Sequence, residues 1–372
     1  MRVLELLSSP VWTGPAEPMA SVARELVRRG HLVEVAVDTR RPGDIREKLA
    51  SFGLAPRADL ALSTKGGPVA FIGDVRRLRR VARGFDVVHA NFSHDHALAL
   101  VATAGQRDRR VVRTVHSSRS LEDRGLQGLV HRKTDGIIAV CEAHARLLRE
   151  RFRVPPERIL AVRGAVDTRA FSPEGPDLRE ELGIAADAPV VGIVARIKPD
   201  RRHAELVDAF RVVAGRLPGA RLVVVGRGEG LDELRARVGR LGLGGSVVFA
   251  GYRRGAELAA AYRTLDAKVL LAEGNDGTCR ALLEAMASGR PGIAYRFGSP
   301  AETILDGATG RLVEDGNVAS LAAAIEQVIG SRARARAMGA EARGRMSALY
   351  TEEARGGAVE DFLARVRGMP RS

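Results

Sequence analysis

A chain of 372 residues is too long for one ordinary domain and suits two, and a hydrophobic content of 45% is enough to fill both cores. Two cysteines, Cys141 and Cys279, argue against a disulfide framework and for a reducing cytoplasm, and no apolar run approaches the roughly 20 residues of a membrane span. Most of the net charge of +14 lies in residues 1–172, where 30 Lys and Arg face 19 Asp and Glu; this suggests an anionic partner, unless the arginines only solvate the surface.

The opening residues, Met1-Arg-Val-Leu-Glu-Leu-Leu, read as a strand with an acid inside it rather than as a signal peptide. A helix follows, with Met19, Val22, Ala23, Leu26 and Val27 on one face, and Gly30 stops it. Strands are expected at 32–37, 86–90, 111–115, 136–140 and 159–162, with helical segments between most of them. Among these is a short basic helix over 74–83, anchored by Val75, Leu78 and Val81. It is either a solvated helix or one that rests on anionic lipid. Continuous apolar strands alternating with helices imply a parallel sheet in a doubly wound α/β domain.

Phe171-Ser-Pro-Glu-Gly-Pro176 is the best linker candidate. The first domain is therefore placed at 1–172 and the second at 177–352. The second series has strands at 190–195, 222–225, 247–250, 267–271 and 292–294. Its helices fall near 203–215, 230–241, 256–264, 278–288 and 317–329, and 331–368 is helical and charged. Ligands in such sheets sit at the carboxyl ends of the strands, where His89, His116 and Arg196 fall.

Two stretches carry the most chemistry. Arg196-Ile-Lys-Pro-Asp-Arg201 puts two guanidinium groups just past a buried strand, where they suit phosphate oxygens. Asp276-Gly-Thr-Cys-Arg-Ala-Leu-Leu-Glu284 puts two carboxylates around a Gly-Thr turn that opens a helix. The helix N-terminus suits an anion, and the carboxylates suit hydroxyls. Diphosphate plus polyol hydroxyls outlines a sugar nucleotide.

This arrangement resembles the donor site of retaining glycosyltransferases of family 4. Asp276 and Glu284 stand with seven residues between them, ahead of Ala285-Met-Ala-Ser-Gly-Arg-Pro291, where the family has Glu at both positions. Further matches keep the family order: Asp86-Val-Val-His89, Thr114-Val-His116, Gly136-Ile-Ile-Ala-Val140 and Gly226-Arg-Gly228. The resemblance covers nearly the whole chain. It implies a GT-B fold, with two doubly wound Rossmann-like domains facing a central cleft, the first binding acceptor and the second donor. A last helix, near 353–368, would cross back onto the first domain.

By resemblance, Arg196 and Arg201 clamp the diphosphate, Asp276 holds the donor sugar, and His116 positions the reacting groups. Donor binding would involve Gly14, Gly226, Gly228, Tyr252, Arg253, Gly277, Thr278 and Glu284, with Glu284 on the ribose. Trp12, His89 and Asn91 would lie on the acceptor side, Trp12 as a platform or else as a hydrophobic plug. Two departures stand out: Asp276 is one methylene shorter than the family's Glu, and Pro15 follows Gly14 where the family has a second glycine.

The resemblance further implies a UDP-sugar or GDP-sugar donor, no metal and no other cofactor. The basic first half suggests a lipid-linked or cell-envelope glycan acceptor and peripheral contact with the inner face of the cell membrane. Aromatic content of 4% argues against nucleic acid. The rival readings are a non-catalytic sugar-nucleotide-binding protein and a GT-B-like sugar-nucleotide epimerase.

Overall fold

A computed structural model of the chain describes every residue except 63, 66, 123–126, 274, 275, 371 and 372, and describes 127 and 276–278 by their backbone alone. The chain divides into two compact units, Met1–Arg163 with Glu352–Ser372, and Gly164–Thr351. The break thus falls ahead of the Pro-rich stretch at 171–176, and residues 164–172 belong to the second unit. Val166 explains this: its N–H donates to the Tyr350 carbonyl (2.8 Å), and its side chain joins a core with Leu283 and Met346.

The first unit runs β1 (Arg2–Leu7), α1 (Ala16–Arg28), β2 (Leu32–Val37), α2 (Ile45–Ser51), α3 (Gly67–Ala82), β3 (Val87–Ala90), α4 (Ser93–Ala102), β4 (Arg110–Val115), α5 (Gln127–Arg132), β5 (Gly136–Ala139), α6 (Glu142–Glu150) and β6 (Ile159–Ala161). The strands pair in parallel in the order β2-β1-β3-β4-β5-β6. Side chains alternate across this sheet. Leu4, Leu6, Val88 and Val111 meet α3 and α4 on one face, while Val3, Val87 and Val112 meet α1 on the other. Met19, Val22, Ala23 and Leu26 of α1 are buried, but Val27 lies off that stripe and is 46% exposed.

The second unit runs β7 (Val190–Val194), α7 (His203–Arg216), β8 (Arg221–Val225), α8 (Leu231–Arg240), β9 (Val247–Gly251), α9 (Gly255–Thr264), β10 (Ala267–Leu270), α10 (Asp276–Ala287), β11 (Gly292–Tyr295), α11 (Gly298–Thr303), β12 (Gly310–Val313), α12 (Val318–Ile329) and α13 (Arg332–Leu349). Its parallel sheet has the order β12-β11-β10-β7-β8-β9. Strand β12 was not anticipated, because Gly310-Arg-Leu-Val313 is short and carries an arginine. It is an edge strand, where half-burial suffices.

Helix α14 (Glu352–Gly368) returns to the first unit and packs on α1. Val359, Phe362, Leu363 and Val366 complete the core around Val3, Val22 and Leu26. Glu360 accepts from Arg29 (3.1 Å) and pairs with His31 Nε2 (2.6 Å), and Glu352 accepts from Ser21 (2.8 Å) and from Arg24. Apolar contact does most of the holding, and these ion pairs set the register along α1.

Candidate functional site

Both sheets reverse their winding beside their first strand. In the first unit β1 lies between β2 and β3, and in the second β7 lies between β8 and β10. Loops that leave adjacent strands toward opposite faces open a crevice at the carboxyl ends, which is where doubly wound sheets hold ligands. The residues singled out in the sequence gather at these two places.

In the second unit, the segment after β7 carries Arg196 and Arg201 and is stitched to the segment after β8. Ala195 N–H donates to the Val225 carbonyl (3.1 Å), Ile197 N–H to Arg227 (3.0 Å), and Gly230 N–H to Ile197 (3.2 Å). Gly226 and Gly228 make this possible. A Cβ on Gly226 would sit 2.0 Å from the Ala195 carbonyl oxygen, and one on Gly228 would sit 2.1 Å from that of Ile197. Gly226 also has φ +147, which other residues rarely adopt. These glycines are thus required by the close approach of two loops, whatever they do for a ligand.

Arg196 is largely exposed and pairs with Glu229 at 3.5 Å. Arg201 ends a short 3₁₀ turn, Pro199–Arg201, and its side chain is only 16% exposed, with Asp200 at 3.9 Å. The next residue, Arg202, has left-handed backbone at φ 58. Its guanidinium lies over the rings of Tyr295 (5.2 Å) and Phe297 (5.6 Å) and pairs with Asp315 and Glu205. That packing holds the turn that presents Arg201. It has no local signature, since it joins residues about a hundred positions apart.

Helix α10 opens after β10, the strand beside β7. It begins at Asp276, earlier than expected, so Asp276, Gly277 and Thr278 are helical. Their side chains lie outside the described residues. Glu284 is buried, which excludes a water-facing carboxylate, and its Oε2 accepts from the Tyr262 hydroxyl at 2.7 Å. Burial, followed by Glu284 itself, pushes the Tyr262 phenol well above its usual range. Lys268, fully buried in β10, donates to the Val269 carbonyl at 2.8 Å. Burial lowers it to about 7, against the opposing pull of Glu284. His203, at the start of α7, is lowered to about 4 by burial, then by Lys268 and Arg201. Arg201, His203, Lys268 and Glu284 are thus successive neighbours in one electrostatic field. Tyr262, Lys268 and His203 were missed by sequence reasoning; a lysine inside the apolar run 267–271 was the available signal.

Two expected donor contacts are otherwise engaged. Arg253 is turned inward, with Nε on the Ala250 carbonyl at 2.9 Å and Nη2 on Glu181. Tyr252 is exposed, and the Arg227 guanidinium lies 4.5 Å from its ring centroid.

In the first unit, His116 follows β4 and is buried, with Nε2 3.1 Å from Asn91 Oδ1. His89 and Asn91 were expected on the acceptor side. Both are buried inside the sheet face, where His89 bridges Glu5 and Thr114 and Asn91 bonds Glu5 and Leu6. A polar side chain there needs protein partners, and these residues have them. Trp12 stacks on Phe52 at 5.6 Å and packs against the core beside α1, which fits the plug reading. Gly14 is exposed, and a Cβ there would meet nothing within 4 Å.

Among the described residues, no group of three or more His, Cys, Asp or Glu is placed to hold a metal. No described helix is long and apolar enough to cross a membrane.

Comparison with known proteins agrees along the chain. Residues 14–170 match the family model described as Glycosyltransferase Family 4, and residues 175–345 match Glycosyl transferases group 1. A D-inositol 3-phosphate glycosyltransferase of Actinosynnema mirum is 30% identical, with 88% of each chain covered. A GDP-mannose-dependent alpha-(1-6)-phosphatidylinositol monomannoside mannosyltransferase of Mycolicibacterium smegmatis is 32% identical over 48% of this chain and 49% of its own. Among solved structures, Anabaena HepE in complex with UDP superposes with a TM-score of 0.84 at 20% identity, covering 98% of this chain and 100% of HepE.

Proposed function

The chain belongs to glycosyltransferase family 4, and from that premise we propose that it moves a hexosyl group from a nucleoside-diphosphate sugar to a hydroxyl acceptor with retention at the anomeric carbon and without a metal. The observation that carries the reading lies in the second unit. Arg196 and Arg201, Gly226 and Gly228, and the opening of α10 belong to the carboxyl ends of β7, β8 and β10, three adjacent strands across the reversal of winding.

In the proposed reaction the sugar–phosphate bond breaks and its electron pair stays on the diphosphate. Arg196, Arg201 and the N–H groups opening α10 stabilise that growing charge. Glu284 accepts from the ribose hydroxyls, and Asp276 from the sugar. His116, in the first unit, positions the reacting hydroxyl. The acceptor oxygen attacks on the face the leaving group departs from and passes its proton to the departing phosphate oxygen. That same-face course, without a covalent enzyme intermediate, is what the family resemblance implies.

A lipid-linked or membrane-proximal acceptor is part of the proposal. Helix α3 exposes Arg76, Arg77, Arg79 and Arg80, and near its start Val69 and Ile72 are 84% and 52% exposed. Apolar anchors beside clustered arginines suit an anionic bilayer surface.

Calorimetric titration of UDP, GDP and ADP in EDTA tests the donor assignment. GDP-mannose and UDP-sugars then head the donor panel, because relatives and HepE are named with GDP-mannose and UDP. Micromolar binding of one nucleotide and a product of retained configuration by NMR is the expected result. No nucleotide binding overturns the donor site, and transfer that stops in EDTA and returns with magnesium overturns metal independence.

A further inference from the structure

We infer that His203 is a further ligand of the donor's diphosphate, donating a ring N–H to a phosphate oxygen beside Arg201. The inference deepens the proposed donor site and rests on that reading.

His203 opens α7 after β7, two residues past Arg201. It heads the buried stripe of that helix, which continues with Leu206, Val207, Phe210 and Val213. The rest of the stripe is apolar, so packing alone would place a leucine or valine at this position. His203 is 5% exposed, and neither Nδ1 nor Nε2 has a hydrogen-bond partner among the described residues. A buried imidazole without partners costs free energy that an apolar side chain would not. A partner from outside the chain accounts for it.

The charges around the ring indicate the chemistry of that partner. Burial, then Lys268 and Arg201, lower His203 to about 4 against the pull of Asp200, so the ring is neutral at pH 7 and carries one N–H. Arg201 reaches no carboxylate nearer than Asp200 at 3.9 Å, and Asp200 is drawn instead to Lys198 at 3.0 Å. An anion beside Arg201 satisfies both the guanidinium and the ring N–H. A diphosphate seated on the Arg201 fork lies next to the imidazole, and a turn of the ring about χ2 brings one nitrogen to it. No hydrogen bond among the described residues has to break for that turn.

The start of α7 also borders a cavity of about 210 Å³ toward α8, lined by Lys198, Arg202 and Arg240 and by Glu205 and Glu233. Arg202 is already paired there with Glu205 and Asp315. Two carboxylates in the lining repel an anion, so the partner of His203 comes from the side of Arg201.

The test titrates UDP, GDP and ADP, each beside its nucleoside, into the wild type, His203→Leu and His203→Asn. Calorimetry reads the diphosphates, and ligand-observed NMR reads the weaker nucleosides. His203→Leu should weaken the bound diphosphate about tenfold or more and leave its nucleoside within about twofold. His203→Asn keeps an N–H donor and should recover part of the loss. Ligand-free His203→Leu should unfold in urea at a midpoint no lower than the wild type's, because it removes an unpartnered buried polar group. An unchanged diphosphate Kd, or equal losses for diphosphate and nucleoside, overturns the inference while wild-type binding keeps the donor site. A lower urea midpoint overturns it as well, since the ring then had a bond to lose. In the wild type alone, the ¹⁵N ring signals of His203, assigned by their loss in a variant, should move on saturation with the diphosphate and stay in place with the nucleoside. Signals that the diphosphate does not move overturn the inference whatever the variants' stability. If the wild type binds none of the three diphosphates, the donor site and this inference fall together.

Discussion

The phenol of Tyr262 donates to Oε2 of Glu284 at 2.7 Å inside the second unit, tying α9 to the helix that opens at the candidate donor site. A buried carboxylate without enough donors is costly, and this bond supplies one. It also fixes the rotamer from which Glu284 would meet a ribose.

Tyr262→Phe removes that donor and leaves everything else in place. The expected loss is about 1.5–3 kcal/mol of stability, the range for hydrogen bonds to charged groups. Urea unfolding followed by circular dichroism measures it. Nucleotide affinity should fall too, because the carboxylate gains freedom. An unchanged unfolding midpoint would show that the bond contributes nothing.

Lys268 gives the second unit a specific response to pH. It is fully buried, and burial lowers it from 10.5 to about 7. Below about pH 7 the folded and unfolded chains both hold the proton, and the native state carries the full cost of a buried ammonium. Between about 7 and 10.5 the unfolded chain holds a proton that the folded chain has released, so stability rises with pH. Lys268→Met lacks this term. The stability of wild type relative to Lys268→Met should therefore climb by a few kcal/mol from pH 7 to pH 10, at about 1.4 kcal/mol per unit of pKa difference. A difference that stays flat over this interval refutes the assignment.

The strands of both units other than β12 were legible because they are continuous apolar runs, and the donor-site motifs because they are local. Arg196, Arg201 and Glu284 could be placed from spacing within single elements. What was not legible is pairing over distance. Glu5 was visible as an acid inside an apolar strand, but nothing local links it to His89 or Asn91, more than eighty residues away. His89 was read as a site residue because it ends a strand; it faces the covered side of the sheet, where a histidine serves as a hydrogen-bonded support. The same limit hid Arg202, whose partners Tyr295, Phe297 and Asp315 come from the far side of the unit's sequence. Helix starts were misjudged at α10, which begins on Asp276 although Gly277 follows, and at α3, which begins at Gly67 and not near 74.

The left-handed backbone of Arg202 separates two contributions that one substitution would confuse. Arg202→Gly and Arg202→Ala both delete the stack on Tyr295 and Phe297 and the pairing with Asp315. Only alanine keeps a Cβ at φ 58, where the steric cost for a residue other than glycine is about 1 kcal/mol. Arg202→Ala should be the less stable of the two by about that amount in urea unfolding. Equal stabilities would mean that the turn relaxes when its side chain is removed.

The two arginines proposed for the diphosphate should differ in how they fail. Arg201 is 16% exposed and held by the turn before Arg202, whereas Arg196 is 69% exposed, with Glu229 at 3.5 Å as its counter-charge. Alanine at either position should cost about 2–4 kcal/mol in transfer, as for the loss of one donor aimed at developing charge. Lysine should be tolerated better at 196, where a mobile, solvated side chain can still bring a point charge to phosphate. At 201 the planar fork is fixed in place, and an ammonium cannot reproduce its paired geometry. Comparing kcat/KM for the four variants with one sugar nucleotide checks this. Transfer by Arg201→Ala at the wild-type rate would remove the second arginine from the clamp, and equal losses for both lysine variants would show that geometry at 201 does not matter.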